Sequence, residues 1–204
     1  MTAMILDERM TERLIAERQA LGLDDHDECW DGVYVMPPAP SSDHQRAVFK
    51  LARVLSACRP TRRDQVIPGV NISPEADDWE RNYRVPDIAV VLAGNPLVDH
   101  GSYIHGGPDL VVEMRSRGDD SYRKLDFYTA LGVREVLVVE RDTRRPVLFR
   151  LGRKKLTRVK PTAIDGGSWL TSVVLDAAFA HSTEKGKPKL LVRRTTGAAR
   201  TWRV

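Results

Sequence analysis

The chain has 204 residues, enough for one domain with appendages and short for two. Hydrophobic residues make up 42% and charged residues 29%, which excludes a disordered chain, and no apolar run approaches the roughly 18 residues of a membrane span. The net charge of +4 hides an asymmetry: residues 1–140 hold 16 Lys/Arg against 24 Asp/Glu, or −8, whereas residues 141–204 hold 16 against 4, or +12.

A basic half points to a polyanionic partner, with a solvated surface and a loose tail as the plain alternative. Residues 7–20 read as a charged helix with Met10, Leu14 and Ile15 inward, stopped by Gly22. Residues 28–36 form a strand or hairpin turning at Asp31-Gly32, and Pro37, Pro38 and Pro40 then break the chain. Ser41, Ser42 and Asp43 offer N-caps for a second helix running to about Cys58, with Val48, Leu51 and Leu55 as its apolar stripe and His44 at the N-terminal end of that face.

Three strand-like runs follow, at 65–72, 84–92 and 109–113. The unbroken apolar runs Ile88-Ala89-Val90-Val91-Leu92 and Leu110-Val111-Val112 suit a sheet buried on both faces. A third helix is predicted over 119–131, capped by Asp119, Asp120 or Ser121 and ended by Gly132, and the run Glu135-Val136-Leu137-Val138-Val139 follows at once. Residues 109–139 therefore make a strand–helix–strand crossover with parallel strands. Residues 147–151 and 155–159 read as a hairpin across Gly152-Arg153, Leu190-Leu191-Val192 as a last short strand, and the basic end as frayed. The order implies an α/β sandwich with a mixed sheet. Cys29 and Cys58 stand far apart, which excludes a disulfide framework and a cysteine zinc site; with charged residues near the N-terminus in place of a secretory signal, a cytoplasmic protein is expected.

Three charged residues stand out by context. Asp87 follows Pro86 and opens an apolar run, Glu113 closes another, and Lys124 lies in the first turns of the next helix. Carboxylates at the ends of buried strands need compensation, by salt bridges or by a cation with oxygen ligands. Two of them on neighbouring strands make a partial cage for Mg²⁺ or Mn²⁺, and a nearby lysine can orient water or stabilise charge on a phosphorane. Each residue also has a plain structural reading: Asp87 capping a backbone amide, Glu113 paired with Arg115, Lys124 paired with Asp120 on a solvated helix face, His44 at the edge of the core, and Glu28 paired with a basic neighbour.

The motifs Val85-Pro86-Asp87, then Asp109-Leu110-Val111-Val112-Glu113-x-x-Ser116, then Asp120-x-x-x-Lys124-x-x-x-Tyr128-x-x-x-Gly132-Val133-x-Glu135 resemble the Uma family of restriction-endonuclease-like proteins, in the PD-(D/E)XK nuclease superfamily. Upstream, Glu28-x-x-x-Gly32, Met36-x-Pro38 and His44 resemble the same family, so the likeness spans roughly residues 8–160. It implies a restriction-endonuclease-like α/β sandwich, with a mixed central sheet flanked by helices. It implies Asp87 and Glu113 as metal ligands with the Met114 carbonyl, and Lys124 in place of the superfamily lysine two residues after the second acid, where Arg115 stands here. Glu28, His44 and Arg115 would be accessory: Glu28 an outer carboxylate, His44 a phosphate or water contact, Arg115 a phosphate contact or a neutraliser of Glu113. Arg115 and Arg117 stand where relatives carry a small apolar residue and a proline.

The expectation is thus a Mg²⁺- or Mn²⁺-dependent endonuclease that hydrolyses phosphodiester bonds, with DNA as the expected substrate. The rival is a non-catalytic module that binds nucleic acid or a protein on the same fold. Residues 1–160 would be the nuclease-like domain, and 161–204 a basic extension packed on it or trailing from it. Arg153, Lys154 and Lys155 would track the phosphate backbone, with Arg62, Arg63, Arg115 and Arg117 next in line. Relatives are often dimers, and a two-fold homodimer suits duplex cleavage.

Overall fold

The computed structural model describes residues 3–5, 7–115 and 121–204. A short strand β1 (Ala3–Ile5) leads into α1 (Glu8–Ala20), whose N-cap is Asp7, and then into the hairpin β2 (Glu28–Trp30) and β3 (Val33–Met36). The hairpin turns at Asp31 and Gly32, both at positive φ (51° and 86°), the mirror-image turn that suits strand twist. These three strands form a small sheet in the order β1-β3-β2.

Helix α2 (Ser42–Ala57) starts where the sequence places it: the Ser41 hydroxyl accepts from the His44 N–H, which fixes the first turn. The run expected at 65–72 divides into β4 (Gln65–Pro68) and β5 (Ile72–Ser73), parted by Gly69 at φ 55°. The run expected at 84–92 contracts to β6 (Ile88–Val91), because Pro86 has no N–H to give a ladder; Arg84 makes only an isolated bridge to Ile72. Two short strands, β7 (Val98–Asp99) and β8 (Ile104–His105), pair with β5 in a second small sheet.

The crossover forms as predicted. Strand β9 (Leu110–Arg115) is followed by a 3₁₀ turn over Ser121–Lys124, then α3 (Leu125–Ala130), then β10 (Glu135–Glu140), parallel to β9. The helix is shorter than its sequence window, and the caps Asp119 and Asp120 lie outside the described residues. Gly132 at φ 73° ends it, its N–H reaching the Thr129 carbonyl at 3.0 Å. The hairpin β11 (Pro146–Leu151) and β12 (Leu156–Arg158) completes a six-stranded mixed sheet in the order β12-β11-β10-β9-β6-β4.

The end of the chain is not frayed. Strands β13 (Thr162–Ile164), β14 (Gly167–Thr171), β15 (Ala177–Glu184), β16 (Lys187–Arg194) and β17 (Thr201–Arg203) form an antiparallel meander, and the last short strand expected at 190–192 is the middle of an eight-residue strand. Its apolar face explains the order. Phe179, Leu190, Val192 and Val204 join the cluster in which α2 packs Leu51 and Leu55 on Val90, Val112 and Leu137 of the central sheet. The other face of the central sheet, with Ala89, Val111, Val136 and Val138, is closed by Tyr128 and neighbours from α3. Burial of both faces accounts for the continuous apolar strands. Among the described residues no helix is long and apolar enough to cross a membrane, and Cys29 and Cys58 are buried free thiols.

Candidate active site

Strand register brings the two acids together. Ile88 of β6 pairs antiparallel with Val112 of β9, so one more step sets Asp87 beside Glu113. Proline at 86 ends the ladder there, and the Asp87 side chain takes over the open position: its Oδ2 accepts the Met114 N–H at 2.6 Å. Its Oδ1 lies 2.8 Å from His44 Nε2, presented by the capped first turn of α2. Asp87 thus does cap a backbone amide, yet it also lines a cleft of about 1200 Å³ together with His44, Glu113 and Lys124.

Glu113 shares the α3 face of β9 with Val111 and is only 4% exposed. The Tyr128 hydroxyl donates to its Oε1 at 2.5 Å, and the Lys124 ammonium sits 3.3 Å from the same oxygen. Lys124 is closer still to Glu28 Oε1, at 2.7 Å. Glu28 in turn is held by the Val85 N–H at 2.8 Å on Oε1 and by the Trp30 indole N–H at 2.7 Å on Oε2. Burial pushes the Glu113 carboxyl up, and the carboxylates of Asp87 and Glu28 add to the effect against the pull of Lys124. Burial alone would lower the Lys124 ammonium, but Glu113, Glu28 and Asp87 outweigh it and hold the lysine above its ordinary range. Two buried carboxylates therefore share one ammonium, and the Asp87 carboxylate is near enough to add to their field.

The family model that matches this chain, over residues 17–179, is Uma2, described as a putative restriction endonuclease. The chain belongs to the Uma2 family. A similar solved structure is that of a putative nuclease belonging to DUF820 from Anabaena variabilis ATCC 29413. It is 16% identical, with a TM-score of 0.52 over 68% of this chain and 79% of that one. At that identity the likeness speaks for the fold, which is the restriction-endonuclease-like α/β sandwich expected from the sequence. No curated protein matches the chain.

Within this Uma2 chain the structure gathers Glu28, His44, Asp87, Glu113 and Lys124 into one cluster. Lys124 is not on a solvated face, and Asp120, its alternative partner, lies outside the described residues, as do Ser116 and Arg117. Arg115 is committed elsewhere: its guanidinium pairs with Glu140 at 3.0 Å and lies over the Tyr122 ring at 4.9 Å, so Lys124 and not Arg115 offsets Glu113. Met114 N–H bonds Asp87; a strand residue points its N–H and C=O to the same side, so the Met114 carbonyl faces the Asp87 side too. Arg153, Lys154 and Lys155 are exposed but do not converge on the cluster. Val147 sits level with Val138 and Glu113, and the turn begins five residues farther, about 17 Å along the strand. Arg62 and Arg63 are likewise exposed, on the loop before β4. Among the described residues no group of three His, Cys, Asp or Glu side chains already converges as a metal cage.

Two partners were not singled out from the sequence. Tyr128 is four residues after Lys124, the spacing that puts two side chains on one helical face, so its role was legible there. Arg84 was not. It is buried between the rings of Trp30 (4.7 Å) and Phe127 (4.2 Å) and bonds the Cys29 carbonyl at 2.7 Å, which fastens the hairpin carrying Glu28 to the helix that follows Lys124.

Proposed function

We propose that the chain is a metal-dependent endonuclease that hydrolyses phosphodiester bonds in DNA. The observation that carries this reading is the meeting of Asp87, Glu113 and Lys124 on one wall of an open cleft. The available donors are oxygens, which suits Mg²⁺ or Mn²⁺ over softer metals, and three carboxylates against one ammonium leave negative charge for a cation to offset. Asp87, Glu113 and the Met114 carbonyl would hold it. A bound divalent ion would polarise the phosphate and lower the pKa of a coordinated water.

The chain's own groups have separate tasks. Lys124, steadied by Glu28, presents its ammonium to charge that develops on the phosphate. Tyr128 fixes the rotamer of Glu113, and His44 fixes that of Asp87. One observation favours the rival, non-catalytic module: the Lys124 ammonium itself offsets part of the charge on Glu113. Nicking of supercoiled plasmid decides between them. The expected result is Mg²⁺- or Mn²⁺-dependent nicking stopped by chelation, and Glu113→Gln slower by at least about 10²-fold with an unchanged fold by circular dichroism. Metal-independent DNA binding with no cleavage in the wild type would establish the binding module instead.

A further inference from the structure

The turn between β10 and β11 carries three arginines, Arg141, Arg144 and Arg145, at the same end of the central sheet as Glu113. It is tightly built: the Arg144 N–H bonds the Glu140 carbonyl at 2.7 Å, the Glu140 N–H bonds the Arg145 carbonyl at 3.0 Å, and the Arg141 N–H bonds the Arg115 carbonyl at 2.8 Å. Arg144 closes the turn at φ 56°, in the left-handed region where an arginine is strained and a glycine is not. Its Nη1 is shut off from solvent with no hydrogen-bond partner. Burial, and after it the nearby Arg141, press the Arg144 guanidinium toward losing its charge, while Asp43 at the start of α2 and Asp142 act the other way.

Strain, an orphaned buried donor and two like charges close together are each unfavourable, and a bound anion would offset the last. The cleft supplies the way in. Arg141 lines it with Asp87, Glu113 and Lys124. Lys124 is committed to two buried carboxylates, whereas the carboxylate on Arg141 is its exposed neighbour Asp142 at 3.2 Å, an easily exchanged partner. We propose that Arg141 and Arg144 form an anion seat at the rim of the cleft that takes a phosphate of the nucleic-acid backbone beside the one being cleaved. The planar guanidinium fork matches a phosphate in two-point contact. This inference rests on the nuclease reading for the identity of its ligand, and not for the existence of the seat.

The test uses the full chain in EDTA, with a fluorescein-labelled DNA duplex titrated at several salt concentrations, and with inorganic phosphate against chloride of equal ionic strength in thermal melts. The variants are Arg141→Gln, Arg144→Gly and the pair. Lys185→Gln/Lys187→Gln removes equal charge at the β15–β16 turn as the control. The expected result is weaker duplex binding in the pair than in the control, with the slope of log affinity against log salt reduced by about 0.9 per lost contact. The thermal midpoint of Arg144→Gly should be no lower than that of the wild type, because glycine accepts the left-handed turn. Phosphate should raise the midpoint of the wild type and not of the pair. Unchanged duplex affinity in the pair, or a loss no larger than the control's, overturns the seat while leaving the nuclease reading intact. A binding loss accompanied by a lowered midpoint also overturns it, since Arg144 would then be holding the turn. If the wild type ignores DNA yet responds to phosphate through these arginines, the seat stands and the nuclease reading falls; response to neither overturns both.

Discussion

Glu113 and Glu135 are buried glutamates on adjacent parallel strands, and they have opposite fates. Glu135 is 0% exposed and faces the C-terminal sheet side with Leu137. Its oxygens accept from Arg150 Nε at 2.9 Å and Nη2 at 2.8 Å, from the Ser172 hydroxyl, and from the Val173 N–H at 3.1 Å. Those donors join β10 to β11 and to the loop leading into β15, and they saturate the carboxylate. Glu113, three residues farther along the sheet and on the opposite face, has one hydroxyl and a share in one ammonium, with two other carboxylates close by. Burial alone does not distinguish these two acids. The number of donors each receives does, together with whether the acid opens on a cleft.

Four substitutions or conditions break or sharpen that contrast. The largest effect on stability should come from Glu135→Ala, which strands Arg150, Ser172 and the Val173 amide: a loss of about 3–5 kcal/mol in denaturant unfolding. Lys124→Met should lose about 10²–10³-fold in cleavage rate, while calorimetry with Mn²⁺ still shows binding, since a protonated ammonium has no lone pair to lend a metal. Metal binding lost together with the rate would make Lys124 a structural residue like Glu135's partners. Tyr128→Phe removes a hydrogen bond to a charged group and should cost about 1.5–3 kcal/mol of stability when Glu113 is ionised, and much less in a Glu113→Gln background. The smallest effect concerns Cys58, which lies at the dry end: its backbone carbonyl accepts from Asp176 and its thiol is pushed up by burial to about 11. A thiol raised in the folded state favours folding fully below its ordinary pKa near 9, and that contribution fades as pH rises through 11. Thermal midpoints of the wild type should therefore fall more steeply above pH 9 than those of Cys58→Ala, and alkylation of native Cys58 at pH 8 should be slow.

The site was more legible in the sequence than the chain's last third. A charge at the end of an unbroken apolar run describes the structural Glu135 as well as Asp87 and Glu113, so it is the spacing of the motifs around Asp87, Glu113 and Lys124 that sets those two acids apart, while Gly132 marks a helix stop by its own backbone freedom. The partners of these residues come from distant segments. Nothing in Arg84 or Trp30 alone tells that one will lie over the other and hold Glu28 in place. The meander was overlooked for a different reason. Its turns Asp165-Gly166 and Lys185-Gly186, all four at positive φ, are strong hairpin signals, but basic charge and small residues in the flanking strands masked the alternation of Ala177, Phe179 and of Leu190, Val192. Charge describes the solvent side of a strand and is silent about the other.

The Arg84 clamp has a consequence for the order in which the molecule is assembled. Its bond to the Cys29 carbonyl closes a gap of 55 residues, and the Val85 amide reaches Glu28 across 57, whereas the β9–α3–β10 unit is a local crossover. Contacts that far apart in sequence form late, because a long loop must be closed before they return anything. Lys124 and Glu113 can therefore be in place on a folded sheet while Glu28 is still absent. Mild denaturation should free the hairpin first, so that the lysine loses its second carboxylate, and the cluster its geometry, before the β-sheet itself gives way.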